Sequence, residues 1–141
     1  MTSDKELILA DIQDKINKLM KINNVSVECD SGWYPLILEL NKRLNQINPT
    51  HRILQIKEKF GSLRYYFELP QVRSNAPASE RKLREQQYAD MQELVRQYEY
   101  FSSITCECCG DRGEFRAKNY WYKTLCESCR LRLGYNANGA A

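Results

Sequence analysis

An α+β fold follows from three features of the sequence. Two stretches repeat apolar residues at helical spacing, a central stretch alternates at period two, and a third helical pattern leads into paired cysteines near the C-terminus. The chain has 141 residues, which suits one domain with a small satellite. Hydrophobic residues make up 43%, enough for a packed core and too many for wholesale disorder.

Residues 5–22 read as the first amphipathic helix. Leu7, Ile8, Ile12, Ile16, Leu19 and Met20 recur at helical spacing, with Lys and Asp on the other face. Asn23-Asn24 is its stop signal. Val25 to Cys29 reads as a short strand or a tether. Asp30-Ser31-Gly32 offers capping and turn chemistry for a second helix, and Pro35 fits its first turn. Trp33, Leu36, Ile37, Leu40, Leu44 and Ile47 form its apolar stripe, and Asn48-Pro49 ends it.

Residues 52–69 change to alternation. Leu54, Ile56 and Phe60 share one face, interrupted by Glu58; Leu63, Tyr65, Phe67 and Leu69 share a face of the next run. Gly61-Ser62 between them predicts a two-residue type II′ turn and hence a β-hairpin. Glu58 and Lys59, beside the turn, are expected in solvent. Residues 70–80 carry two prolines and two serines and read as a linker. A long third helix is expected from about Ser79, its N-cap, to Ser102. Leu83, Met91, Leu94, Val95, Tyr98 and Phe101 mark its apolar side.

The cysteines follow the pattern C-x2-C-x16-C-x2-C through Cys106, Cys109, Cys126 and Cys129. Two thiolates two residues apart reach one ion, and two such pairs complete a tetrahedral shell. One structural zinc ion is the expected cofactor. Cys108 is the alternative to Cys109, which is preferred because Gly110 follows it and supplies the freedom a knuckle turn needs. Glu114 to Arg116 and Tyr120 to Leu125 read as a hairpin turning at Lys118-Asn119, and the residues after Cys126 begin a helix. Knuckle, hairpin and helix together make a treble clef; without the helix the module is a zinc ribbon. The expected organisation is an α+β domain over 1–104 with the linker inside it, a zinc module over 105–133 and a flexible tail over 134–141.

Four sulfur ligands leave no open metal position for substrate. The single histidine, His51, follows a helix end and reads as solvated. No Gly-rich phosphate loop occurs. These features point away from catalysis. No apolar run approaches the length of a membrane span, and the N-terminal residues mix charges through their apolar positions, unlike a signal peptide. A cytoplasmic protein is expected, where thiols stay reduced and clustered cysteines bind metal.

The net charge is +3, well short of a strongly basic nucleic-acid binder. Lys57, Lys59, Arg64 and Tyr66 combine cations with an aromatic on the hairpin, and Arg116 and Lys123 add cations from the zinc module. Such a set suits phosphate contacts with a stacked ring, or an acidic protein. The plainer reading is a solvated hairpin face. Trp33 and Trp121 both read as packing residues, and Cys29 as a small buried one.

Gly32-Trp33-Tyr34 with Leu36-Ile37 and Leu40, then Gln55-Ile56-Lys57-Glu58-Lys59-Phe60-Gly61 with Leu63-Arg64-Tyr65-Tyr66, then Cys106-x2-Cys109-Gly110 with Cys126-x2-Cys129, occur in this order. The pattern resembles a set of small, mostly uncharacterised zinc-binding proteins of phages, prophages and bacteria. Relatives often carry Gly-Trp before the second cysteine pair, where this chain has Tyr120-Trp121-Tyr122. The resemblance implies a phage or mobile-element setting and no established activity. The expected function is non-enzymatic: binding that inhibits or redirects a host component, such as a defence or transcription protein, in the host cytoplasm. Nucleic-acid binding and capture of a nucleotide-like signal are the alternatives.

Overall fold

The computed structural model describes residues 3–139. Ser3 starts the first helix, α1 (Asp4–Asn23), with a reciprocal capping box. Its hydroxyl accepts from the Glu6 N–H, and the Glu6 carboxylate accepts from the Ser3 N–H, each at 3.2 Å. The helix ends at Asn24 in the left-handed conformation, at the expected stop signal. Only the C-terminal half of α1 meets the core. Ile16 and Leu19 are buried, while Leu7 and Ile8, placed on the same stripe by the sequence, face solvent.

The segment after α1 is extended, and β1 (Val27–Glu28) pairs in parallel with β2 (Arg52–Lys59). A 3₁₀ turn over Ser31–Trp33 leads into α2 (Tyr34–Ile47), which joins the two strands. Pro35 sits in the first turn as expected, but Asp30 does not cap the helix; its carboxylate is drawn to Lys123 instead. β3 (Ser62–Glu68) pairs antiparallel with β2, giving the order β1-β2-β3.

The hairpin turn lies one residue earlier than the sequence reading. Lys59 pairs with Ser62, so the loop is Phe60-Gly61, with φ of 51° and 81°. Positive φ at both positions is the type I′ geometry, which matches strand twist. Phe60 therefore leaves the core face and is exposed.

A bulge corrects the other half of β2. Ile53 pairs with Phe67 and Gln55 with Tyr66, so Leu54 is the extra residue. Ile53 turns into the core and Leu54 turns out. Past the bulge Ile56 and Glu58 share the inward face, opposite Tyr65 and Leu63. Glu58 is consequently half-buried rather than solvated.

The third helix, α3 (Ala78–Ser102), starts earlier than expected, with Pro77 at its N-cap and Ser79 inside the first turn. It packs on β3 and α2 through Met91, Val95 and Tyr98, whereas Leu83 and Phe101 remain exposed. The main core joins these residues to Ile16, Leu19, Trp33, Ile37, Leu40, Leu44, Ile53, Ile56, Leu63, Tyr65 and Phe67. Helices thus cover one face of the sheet. The module that follows has β4 (Glu114–Lys118), β5 (Trp121–Leu125) and α4 (Glu127–Leu133). The described chain is α+β, with four α-helices and two small sheets.

His51 is buried, not solvated. Its Nδ1 lies 3.2 Å from the Asn48 carbonyl and its Nε2 lies 3.3 Å from the Tyr65 hydroxyl. A carbonyl only accepts, so Nδ1 carries the proton of the neutral ring. Burial lowers the His51 pKa, with the Asn48 hydrogen bond opposing it. The unfolded chain then binds the proton more readily. Stability present above the unfolded value of 6.5 is expected to fall as pH drops below it. His51→Gln should flatten that part of the curve, measured as urea midpoints across a pH series. Parallel losses in both proteins would place the dependence elsewhere.

Candidate metal centre

The first cysteine pair sits on a knuckle. The Gly110 N–H donates to the Cys106 carbonyl at 2.9 Å, and Gly110 has φ of 87°, a conformation glycine adopts without penalty. The Cys106 N–H donates to the Asp111 carbonyl at 2.6 Å, closing the turn. β4 and β5 then cross as a hairpin. Its turn is Asn119-Tyr120, with φ of 49° and 66°, one residue later than the sequence reading. The second pair follows at once. Cys126 is the N-cap of α4, and its sulfur accepts from the Cys129 N–H at 3.4 Å. Cys129 lies in the first helical turn, as expected.

The sulfurs of Cys106, Cys109, Cys126 and Cys129 all lie within 4.8 Å of one another. Cys109 and Cys126 are 3.7 Å apart. The edge of a tetrahedral thiolate shell with metal–sulfur bonds of about 2.3 Å is about 3.8 Å. The set therefore fits a metal ion. Cys108 points elsewhere, 3.6 Å from Arg132 and 3.9 Å from Asp30.

The thiols differ in their protons. Burial raises Cys106, but backbone N–H groups of Cys126, Cys109 and Cys108 outweigh it and bring it down to about 7. Burial raises Cys109; the Asp111 N–H opposes, and the neighbouring Cys106 and Cys126 thiols raise it further. Without a cation, each thiolate makes the next harder to form. A bound metal removes that penalty and releases the protons.

The module is joined to the larger domain by buried hydrogen bonds. The Trp33 indole N–H donates to the Thr105 carbonyl at 2.9 Å, and the Gly32 N–H donates to the Glu107 carbonyl at 2.7 Å. The Thr124 hydroxyl donates to the Gly61 carbonyl at 2.5 Å. Glu107, only 1% exposed, accepts from the Asp30 N–H at 3.0 Å and meets Lys123 at 3.3 Å. Beyond α4 the chain turns back: the Tyr135 N–H donates to the Arg130 carbonyl and the Asn136 N–H to the Ala117 carbonyl.

The residues singled out for binding divide into two groups. Lys57 and Arg64 are register partners, Tyr66 lies beyond them opposite Gln55, and Glu28 flanks Lys57 on β1. Arg64 already donates to the Ser62 hydroxyl at 2.8 Å and lies 3.8 Å from Glu99. Lys59 stands at the turn, 5.7 Å from the Phe60 ring centre. The other two are internal fasteners. Arg116 is buried and donates to the carbonyls of Leu125 and Ala137. Lys123 pairs with Asp30 at 3.1 Å as well as with Glu107. Burial lowers the Lys123 pKa, but the two carboxylates more than reverse this and raise it.

What sequence reasoning did not find is an aromatic and acidic face where the two hairpins meet. Trp121, read as a packing residue, is 74% exposed; Tyr120 is 80% and Phe60 65% exposed. The type I′ turns lift Phe60 and Tyr120 off the body, and Trp121 follows as the first residue of β5. Tyr122 stacks on Phe115 with ring centres 5.2 Å apart and meets Phe60 edge-on. Glu58 faces the same region. Burial raises its carboxyl, Glu107 adds to this, and Lys123 opposes. The signal for Glu58 was its interruption of an apolar alternation. No protein family, characterised protein or solved structure matches the chain, so the chemistry of the site carries the functional reading.

Proposed function

We propose that the chain is a non-catalytic binding protein held together by one structural zinc ion in a treble-clef module. The observation that carries this reading is the exposed aromatic face of Phe60, Tyr120 and Trp121, the last two on the hairpin that leads into Cys126 of the four-cysteine cluster. Large aromatics are the residues most often spent on interfaces, and these three gain nothing for the core. A zinc ion with four thiolates has no position left for substrate, so its role is to fix the surface built on it. The resemblance to phage and prophage proteins supports a mobile-element setting. In that setting the partner is a protein of the bacterial host, met in the cytoplasm and inhibited or redirected by binding. Nucleic acid and a nucleotide-like signal are less well supported, because Arg116 and Lys123 are committed inside the molecule.

Immobilised zinc-loaded protein should retain a host protein from nuclease-treated bacterial lysate. A Tyr120→Ala, Trp121→Ala double variant should not retain it, while keeping its metal. Retention that disappears on nuclease treatment would favour the nucleic-acid alternative. Equal retention by the variant would overturn the reading.

A further inference from the structure

We infer that the cleft between the two hairpins receives a cationic side chain, arginine or lysine, presented by the partner protein. The inference rests on the binding reading above and names the chemistry of its partner. The cleft has a volume of about 490 Å³ and is bordered by Glu28, Asp30, Glu58, Glu107, Trp121 and Tyr122, with Lys123 at its side. A smaller cleft of about 260 Å³ shares Glu58, Trp121 and Tyr122 and runs on to Phe60 and Tyr120. The aromatic face and the acidic cleft are therefore one continuous surface.

Charge selects the occupant. Four carboxylates border the larger cleft against the single ammonium of Lys123. That ammonium is already held by Asp30 and Glu107. Glu28 has Lys57 as its neighbour across the strands, and Lys57 does not border the cleft. Glu58 is different. The Gly61 N–H already donates to its carboxylate, but Oε2 is buried and has no hydrogen-bond partner among the described residues. A carboxylate oxygen withdrawn from water without a donor is costly, and an incoming N–H donor relieves that cost.

The walls favour the same guest. An indole face is the strongest side-chain partner for a cation, and a guanidinium also stacks on it. Trp121 offers that face in solvent, fixed by a hairpin that leads directly into Cys126. Lys123 shows the chemistry within the chain itself: a half-buried ammonium between carboxylates, beside the same aromatics. A phosphate would meet four carboxylates and be repelled.

The test uses the zinc-loaded full chain and the indole N–H signals of its two tryptophans. The probes are N-acetyl-arginine amide, N-acetyl-lysine amide, the neutral citrulline counterpart, and adenosine monophosphate. Both cations should move the Trp121 signal at about millimolar concentration and leave the buried Trp33 signal in place. Citrulline should bind about tenfold more weakly, and Glu58→Gln should weaken the arginine probe by about tenfold without loss of metal. Citrulline equal to arginine, preference for the nucleotide, or an unaffected Glu58→Gln variant would overturn the inference. A Trp121 signal that moves only with protein concentration would give the surface to a second copy instead. If the Tyr120→Ala, Trp121→Ala variant loses retention of the host protein but no cation probe binds, the binding reading stands and the cationic guest falls. If neither effect appears, both fall.

Discussion

Cys126→Ser is expected to release the metal and unfold the C-terminal module. Cys126 acts twice, as a member of the sulfur cluster and as the N-cap that receives the Cys129 N–H. The module has little else to hold it. Its buried apolar residues are Cys106, Ala117, Leu125 and Cys129, far too few to stabilise a unit of this kind alone. Structural zinc contributes about 10–16 kcal/mol of apparent binding energy in small modules, as much as the whole stability of many domains. Elemental analysis should find about one zinc per native chain and none in the variant. Residues 105–137 should lose their dispersed amide signals and become sensitive to protease. Cys108→Ser should keep both metal and order, because Cys108 lies outside the cluster. A metal-free chain with an ordered module would refute the proposed zinc centre.

The legible parts of this molecule are those written in local spacing. The cysteine pairs could be read because each pair is contained in one turn, and the two hairpins because each closes within a few residues. The errors came where one residue changes the outcome. An extra residue at Leu54 exchanged the faces of Ile53 and Leu54, and a turn at Phe60-Gly61 rather than Gly61-Ser62 moved Phe60 into solvent. Period-two patterns cannot show a bulge, since a slip of one residue reverses every later side chain. Trp121 looked like core because tryptophan usually is; its exposure depends on which edge of the module faces the domain. Lys123 looked like a free surface cation because its partner Asp30 lies far away in sequence, and Arg116 because its carbonyl partners Leu125 and Ala137 reach it only once the hairpin and the turn after α4 have formed. Lys123 meets Asp30 across 93 positions, and no local pattern carries that information.

Gly32→Ala is the substitution expected to separate the two halves while leaving the metal in place. A Cβ at Gly32 would lie 2.3 Å from the Cys106 carbonyl oxygen, 2.4 Å from that of Glu107 and 2.6 Å from the Glu107 carbonyl carbon. All three are backbone atoms of the knuckle, so no side-chain rotation relieves the clash. The knuckle also carries Cys106 and Cys109, and moving it within the module would distort the sulfur cluster. The easier response is for the whole module to withdraw from α2. That movement breaks the Gly32 N–H bond to Glu107 and the Trp33 indole bond to Thr105. Overpacking and lost buried hydrogen bonds together should cost about 3–5 kcal/mol. The denaturation midpoint should fall accordingly. Trp33, fully buried in the native chain, should shift its fluorescence toward the red. Zinc content should stay at about one per chain, because all four thiolates belong to the module. Loss of zinc together with stability would mean that knuckle and domain form one cooperative unit. Native stability in Gly32→Ala would mean that the close approach at this joint does not exist. The glycine of the Gly32-Trp33-Tyr34 motif is thus explained by contact: its neighbour Trp33 fills the core, and the space where a side chain would stand is occupied by the backbone of Cys106 and Glu107.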